Sequence, residues 1–178
     1  MNVGKQMVKP VIVLLIICAV AACILAVVHA KTEPMIEANE LAEKTATYKE
    51  ALPEADGFEE LSTDIEGVTA VLKATNDVGY VITAQSRGYG GQVPVAVAFT
   101  NDGEISKVVC MSNDETPGLG QKVCEESFSG QFSGMAAEPF TIDDIDIISG
   151  ATISSRAVTN AINLAIEAYE EIGEGGSK

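Results

Sequence analysis

An unbroken apolar run occupies residues 11–28; hydrophobic positions then thin out, and later return with two different periods. About twenty apolar residues suffice to cross a bilayer as a helix, so the run predicts one transmembrane anchor over residues 10–30. Residues 33–51 are rich in alanine and glutamate, with Met35, Leu41 and Tyr48 scattered along them, and Pro53 follows. That pattern predicts a polar helix ended by the proline. It reads as a helical stalk, and residues 54–66 as an acidic loop, so stalk and loop together fill 31–66. Four strand-like runs come next, at 68–74, 80–84, 93–100 and 105–111. Asn76-Asp77 and Asn101-Asp102-Gly103 punctuate them as hairpin turns do. Val93, Val95, Val97 and Phe99 alternate with their neighbours as in a half-buried strand. Residues 115–120 carry Pro117, Gly118 and Gly120 and read as a loop. A short helix is predicted over 122–128, and 129–139 is loop-like. Val158, Ala161, Ile162, Ala165, Ala168, Tyr169 and Ile172 then recur at i, i+3, i+4 spacing, the mark of an amphipathic helix. Gly173, Gly175 and Gly176 are expected to stop it. The fold class is α+β, a mainly antiparallel sheet with flanking helices, and the strand order stays open.

Charge adds direction. All 26 acidic residues begin at Glu33, whereas Lys5 and Lys9 precede the apolar run, and the net charge is −15. The positive-inside rule puts residues 1–9 in the cytoplasm and the remainder outside the cell membrane, anchored once in the lipid bilayer. Two rival readings of the same stretch are a cleavage site at Val28-His29-Ala30 and a lipoprotein box at Val20-Ala21-Ala22-Cys23, which would lipidate Cys23. So acidic a chain repels nucleic acid, and no nucleic-acid partner is expected. Cys18 and Cys23 lie in the apolar run, where a thiol acts as a small hydrophobe. Cys110 and Cys124 lie beyond it, and their pairing is left open. With His29 the only histidine and no Cys-x-x-Cys pair, no metal site is expected. The same lone histidine excludes a nucleophile–histidine–acid set, so no catalytic residue is assigned.

Two segments carry candidate chemistry. Asp146-Ile147-Ile148-Ser149-Gly150-Ala151-Thr152, followed by Ile153-Ser154-Ser155-Arg156, puts a hydroxyl on a small-residue turn just ahead of a helix. A helix N-terminus has unpaired N–H groups and the positive end of the helix dipole, and favours a phosphate. An ordinary helix start capped by Ser154 or Ser155 fits the same residues. In Glu115-Thr116-Pro117-Gly118-Leu119-Gly120-Gln121-Lys122 the glycines allow backbone to lie against a flat ring. Arg87-Gly88-Tyr89-Gly90-Gly91 matches neither a Rossmann nor a P-loop fingerprint and suits a flexible turn.

Asp-x-x-Ser-Gly-Ala-Thr resembles the flavinylation motif of FMN-binding domains, and the run 115–122 is similar to the second signature of that family. The family comprises the G subunit of the Rnf complex (ferredoxin:NAD oxidoreductase) and the C subunit of the sodium-translocating NADH:quinone reductase. Order, spacing and the anchor together carry the resemblance over most of the chain. It implies an extracytoplasmic FMN-binding domain over 67–178, with FMN joined through its phosphate to Thr152. Ser149, Gly150, Ala151, Ser154 and Ser155 would surround that phosphate. Thr116, Gly118, Leu119, Gly120 and Lys122 would lie beside the flavin, with Leu119 over the ring. Asp146 would be read by a separate flavin transferase, although a solvated turn residue continuing Asp143 and Asp144 fits it equally, and residues 88–91 would shape the sheet near the flavin. The partners implied are the other subunits of a Rnf-type membrane complex, which passes electrons from ferredoxin to NAD while exporting sodium ions or protons. Many relatives have a histidine shortly before the glutamate, where this chain has Ser112-Asn113-Asp114, so no imidazole role carries over. The alternatives are the quinone reductase C subunit, a lipid-anchored extracellular flavoprotein, and a stalk protein without flavin. The short chain favours the Rnf type.

Overall fold

The computed structural model describes residues 3–175. They divide into two units, split between Glu43 and Lys44. In the first unit, predicted anchor and stalk are one uninterrupted helix, α1 (Val3–Ala51), whose last turns belong to the second unit. Within it Pro10–Glu33 has a mean hydropathy of 3.5 over its most apolar window, and its aliphatic side chains are exposed. By length and composition this stretch suits a bilayer core. Pro53 stands two residues beyond the helix end, as expected.

The second unit is built on a five-stranded antiparallel meander: β1 (Phe58–Leu61), β2 (Val68–Ala74), β3 (Tyr80–Arg87), β4 (Gln92–Phe99) and β5 (Ile105–Cys110), adjacent in sequence order. Strand β1 corrects the acidic-loop reading of 54–66. It pairs with β2 from Phe58↔Ala74 to Leu61↔Val71. Glu59 and Glu60 face solvent at the sheet edge, so neither an apolar run nor alternation marks the strand. Glu59 lies opposite Lys73, a favourable cross-strand pair.

Strand β4 is buried on both faces, which corrects the half-buried expectation. Val93, Val95, Val97 and Phe99 belong to the core shared with the long C-terminal helix. Ala96 and Ala98 belong to a second core with Ala51, Leu52 and Ala55 at the end of α1 and just after it. The alternation is real, but it is large against small rather than apolar against polar.

After β5 come a 3-10 turn (Gly120–Cys124), α2 (Glu126–Ser129), 3-10 turns at Gly130–Phe132 and Ile142–Asp144, and α3 (Thr152–Gly175). The helix predicted over 122–128 is therefore broken, with Glu125 extended (φ −77°, ψ 149°). Val123 and Phe128 are both buried, and five residues of regular helix would turn them to different sides. The loop-like stretch 129–139 carries the buried Phe132 and an isolated bridge, Glu104↔Ala136. Cys110 and Cys124 form a disulfide with Cα atoms 5.2 Å apart.

Helix α3 lies on the sheet over β3 and β4 through Ala157, Val158, Ala161, Ile162, Ala165 and Ile166, all fully buried. It runs through Gly173, since one interior glycine costs only about 1 kcal/mol relative to alanine, and is described as far as Gly175; Gly176 lies outside the described residues. It starts at Thr152 rather than near Ser155. The turn before it needs Gly150 at φ +82°, a conformation other residues seldom adopt.

Candidate functional site

Three segments meet at one end of the sheet around a cavity of about 530 Å³. The β3–β4 turn contributes Tyr89; the loop after β5 contributes Glu115, Thr116, Leu119 and Gly120. The start of α3 supplies Gly150, Ala151, Thr152, Ile153 and Ser154. The sheet explains this convergence. Strand β3 ends at Arg87 and β4 begins at Gln92, so the glycine segment is a tight turn closed by Gly88 N–H donating to Gly91 C=O at 2.7 Å. It is also packed, because a Cβ on Gly90 would strike the carbonyl of Asp114. Strand β5 ends beside β4, and Met111 N–H donates to Pro94 C=O at 2.9 Å, which aims the following loop at the turn.

The loop is braced from within. Asn113 Oδ1 accepts from Glu115 N–H at 3.1 Å, while its Nδ2 donates to Met111 C=O at 3.0 Å and lies 3.3 Å from Cys124 Sγ. Thr116 C=O accepts from both Leu119 N–H and Gln121 N–H at 3.2 Å, folding the residues between into a turn with Gly118 at φ +73°. Leu119 is left 42% exposed, and a Cβ on Gly150 would sit 3.4 Å from its Cδ1, so the two motifs touch.

On the opposite wall Ser155 N–H donates to Ala151 C=O at 2.9 Å. The amides of Thr152, Ile153 and Ser154 precede that first intrahelical bond and lack partners within the helix. The Thr152 side chain is exposed on the cavity lining. Of the residues singled out in the sequence, Thr116, Leu119, Gly120, Gly150, Ala151, Thr152 and Ser154 line the cavity. Ser149, Ser155, Gly118 and Lys122 do not. Ser155 is buried, and its Oγ accepts from Ile148 N–H at 3.3 Å. Asp146 is exposed outside the cavity, its N–H donating to Gln131 Oε1 at 2.9 Å. Ile153 and Glu115 are lining residues to which sequence reasoning gave no role, and Tyr89, given only a part in shaping the sheet, lines the cavity as well. Tyr89 carries one legible signal, an aromatic ring set between glycines.

One family match contains the whole of this site and a second covers the N-terminal helix. The FMN-binding domain family matches residues 88–167, from the β3–β4 turn to the middle of α3, and the RnfG N-terminal region matches residues 1–51. The G subunit of the proton-translocating ferredoxin:NAD(+) oxidoreductase complex of Clostridium ljungdahlii is 32% identical, with 86% of each chain covered. The chain belongs to the G-subunit family. The Na(+)-translocating counterpart from Acetobacterium woodii is 30% identical over 96% of this chain and 95% of its own. A solved C subunit of the Na(+)-translocating NADH-quinone reductase from Parabacteroides distasonis has 21% identity and a TM-score of 0.49, covering 58% of this chain and 60% of that one.

Within this G-subunit family the residues present suit FMN. The cavity falls within the roughly 300–1,000 Å³ of small-molecule sites. Leu119 and Ile153, 42% and 53% exposed, offer apolar cover for a flat ring. The α3 terminus offers free amides to a phosphate.

Proposed function

We propose that the chain is the flavin-carrying, membrane-anchored G subunit of a Rnf-type complex that couples ferredoxin:NAD oxidoreduction to export of sodium ions or protons. FMN is esterified through its phosphate to Thr152. The observation that carries this reading is the exposed Thr152 hydroxyl on the first residue of α3, lining a cavity shared with the Thr116–Gly120 loop. Bound there, FMN supplies reversible electron transfer, and the protein supplies position and environment.

Each residue's part follows from its place. Thr152 Oγ1 would hold the flavin through a phosphoester, formed by displacing the leaving group of an activated flavin nucleotide while a base takes the hydroxyl proton. The one carboxylate lining the cavity, Glu115, is already engaged by Gly90 N–H and the Ser154 hydroxyl, so a separate flavin transferase would supply the base, with Asp146 on the exposed approach to the motif. The resulting diester carries one negative charge, which the α3 dipole stabilises by about 0.3–1 kcal/mol. The amides of residues 152–154 add hydrogen bonds to it. Leu119 and Ile153 would keep water from the ring faces, and Tyr89 would close the rim. A covalent bond keeps the cofactor on the chain outside the cell, where lost FMN is not recovered. The apolar segment of α1 spans the bilayer, with residues 1–9 in the cytoplasm and the flavin domain outside.

The test is ultraviolet fluorescence in the gel after denaturing electrophoresis of native membranes, for wild type and Thr152→Ala. A fluorescent band that vanishes in the variant is expected. A dark wild-type band in cells with an active flavin transferase overturns the reading.

A further inference from the structure

Glu115 is 1% exposed, yet it lines the cavity and has no assigned part in it. Its carboxylate is shared between two other walls. Oε1 accepts from the backbone N–H of Gly90 at 2.9 Å, and Oε2 accepts from the Ser154 hydroxyl at 2.5 Å. No ion pair reaches it among the described residues. Burying a carboxyl group without a cation is costly unless its oxygens are well served, and each of these oxygens accepts a hydrogen bond from another segment. Glycines are pressed around it. A Cβ on Gly88 would strike Oε1, and one on Gly120 would lie 2.6 Å from Oε2 and 3.1 Å from Ser154 Oγ. Two segments distant in sequence thus give up side chains where they meet this one carboxylate.

We propose that Glu115 is the positioning residue of the flavin site, a clasp that holds the β3–β4 turn and the first turn of α3 against the flavin loop; this rests on the flavin reading above. Ser154 is the third residue of α3, so tethering it fixes the helix start and, with it, the direction of the Thr152 hydroxyl. Gly90 adjoins Tyr89, so tethering its amide fixes the rim. The clasp works by accepting hydrogen bonds rather than by charge. A glutamine in its place keeps one oxygen for Gly90 N–H, and its amide N–H donates to Ser154 Oγ, which serves as donor or acceptor.

The experiment uses the full-length chain, purified in detergent from cells that also express a flavin transferase, as wild type, Glu115→Ala, Glu115→Gln and Ser154→Ala. Flavin per chain is read from visible absorbance after denaturation, and the fold from far-ultraviolet circular dichroism. Hydrogen exchange at the Gly90 amide and over residues 116–121 is followed in a Thr152→Ala background, where no flavin is attached. Glu115→Ala is expected to lower flavin content at least about tenfold, as misplaced reacting groups do. It should also speed exchange at Gly90, and Glu115→Gln should restore both. Should Glu115→Ala fail to fold, Ser154→Ala, which keeps the Gly90 bond, decides through a partial loss of flavin. A folded Glu115→Ala or Ser154→Ala protein with wild-type loading and exchange overturns the proposal. So does a folded Glu115→Gln protein as poor as Glu115→Ala, because the charge would then be what matters. If wild type itself carries no flavin, the functional reading fails, and exchange at Gly90 alone decides whether Glu115 holds the walls together.

Discussion

Cys110 at the end of β5 and Cys124 at the end of the following 3-10 turn close a covalent ring, fourteen positions apart in sequence. Glu115, Thr116, Leu119 and Gly120 all lie inside it. The loop between them is therefore tied at its base by a bond and at its centre by Glu115. A ring of this size stabilises by about 3 kcal/mol, chiefly by limiting the unfolded chain. The Cys110→Ala/Cys124→Ala variant should lose about that much in urea unfolding of the detergent-solubilised protein. Equal midpoints for the two proteins would show that the ring contributes nothing to stability.

Gly120 and Gly103 separate two reasons for keeping a glycine. At Gly103, in the β4–β5 turn, φ is +80° and a Cβ would meet nothing within 4 Å, so Gly103→Ala strains only the backbone, by about 1–2 kcal/mol. At Gly120 a Cβ would strike the Glu115 carboxylate and crowd Ser154 Oγ, and overpacking there costs about 1–3 kcal/mol. The two variants should thus melt at similar temperatures while only Gly120→Ala loses covalent flavin. Loss of flavin in both, or in neither, would contradict the packing argument.

The same two residues mark where the sequence was readable. Gly120 and its loop are visible locally, as are strands β2 to β5, the core face of α3 and the Ser-Gly-Ala-Thr turn, because turn chemistry and periodicity act over a few residues. What Gly120 packs against is not local: Glu115 meets Ser154 across 39 positions, and nothing in either segment announces the other. Strand β1 escaped for a related reason, since its stability comes from pairing with β2 while Phe-Glu-Glu-Leu has no strand pattern of its own. The start of α3 was placed three residues late because serine is a preferred cap, whereas here Ser154 and Ser155 turn inward, to Glu115 and to Ile148 N–H.

Tyr169 on α3 stacks on Phe99 with ring centroids 4.7 Å apart, and its hydroxyl donates to Thr100 C=O at 2.9 Å. Burial, reinforced by the neighbouring Tyr80, raises its pKa above the ordinary 10.0. A raised value means that the fold favours the protonated phenol. The associated stability is fully present below pH 10 and is lost as pH climbs from there through the raised folded value. Tyrosinate absorbance should show a late-titrating component that Tyr169→Phe removes, and the variant's alkaline loss of stability should be shallower. At neutral pH the same change should cost about 1 kcal/mol for the lost hydrogen bond. An unchanged titration curve would refute the assignment.

Leu119 and Ile153 allow attachment of the flavin to be distinguished from its cover. Both side chains are largely exposed, so Leu119→Ala and Ile153→Ala should each change stability by no more than about 0.5 kcal/mol. Neither touches the Thr152 hydroxyl chemically, so the double variant should still carry covalent flavin. If the ring lies between these two side chains, removing them opens its faces to water. Iodide should then quench the bound flavin's fluorescence more strongly than in wild type, and the fine structure of its visible absorption band should weaken as in water. Quenching equal to wild type would place the ring away from Leu119 and Ile153. The cavity would then hold the phosphate linkage alone, with the ring projecting from it toward whatever protein accepts its electrons.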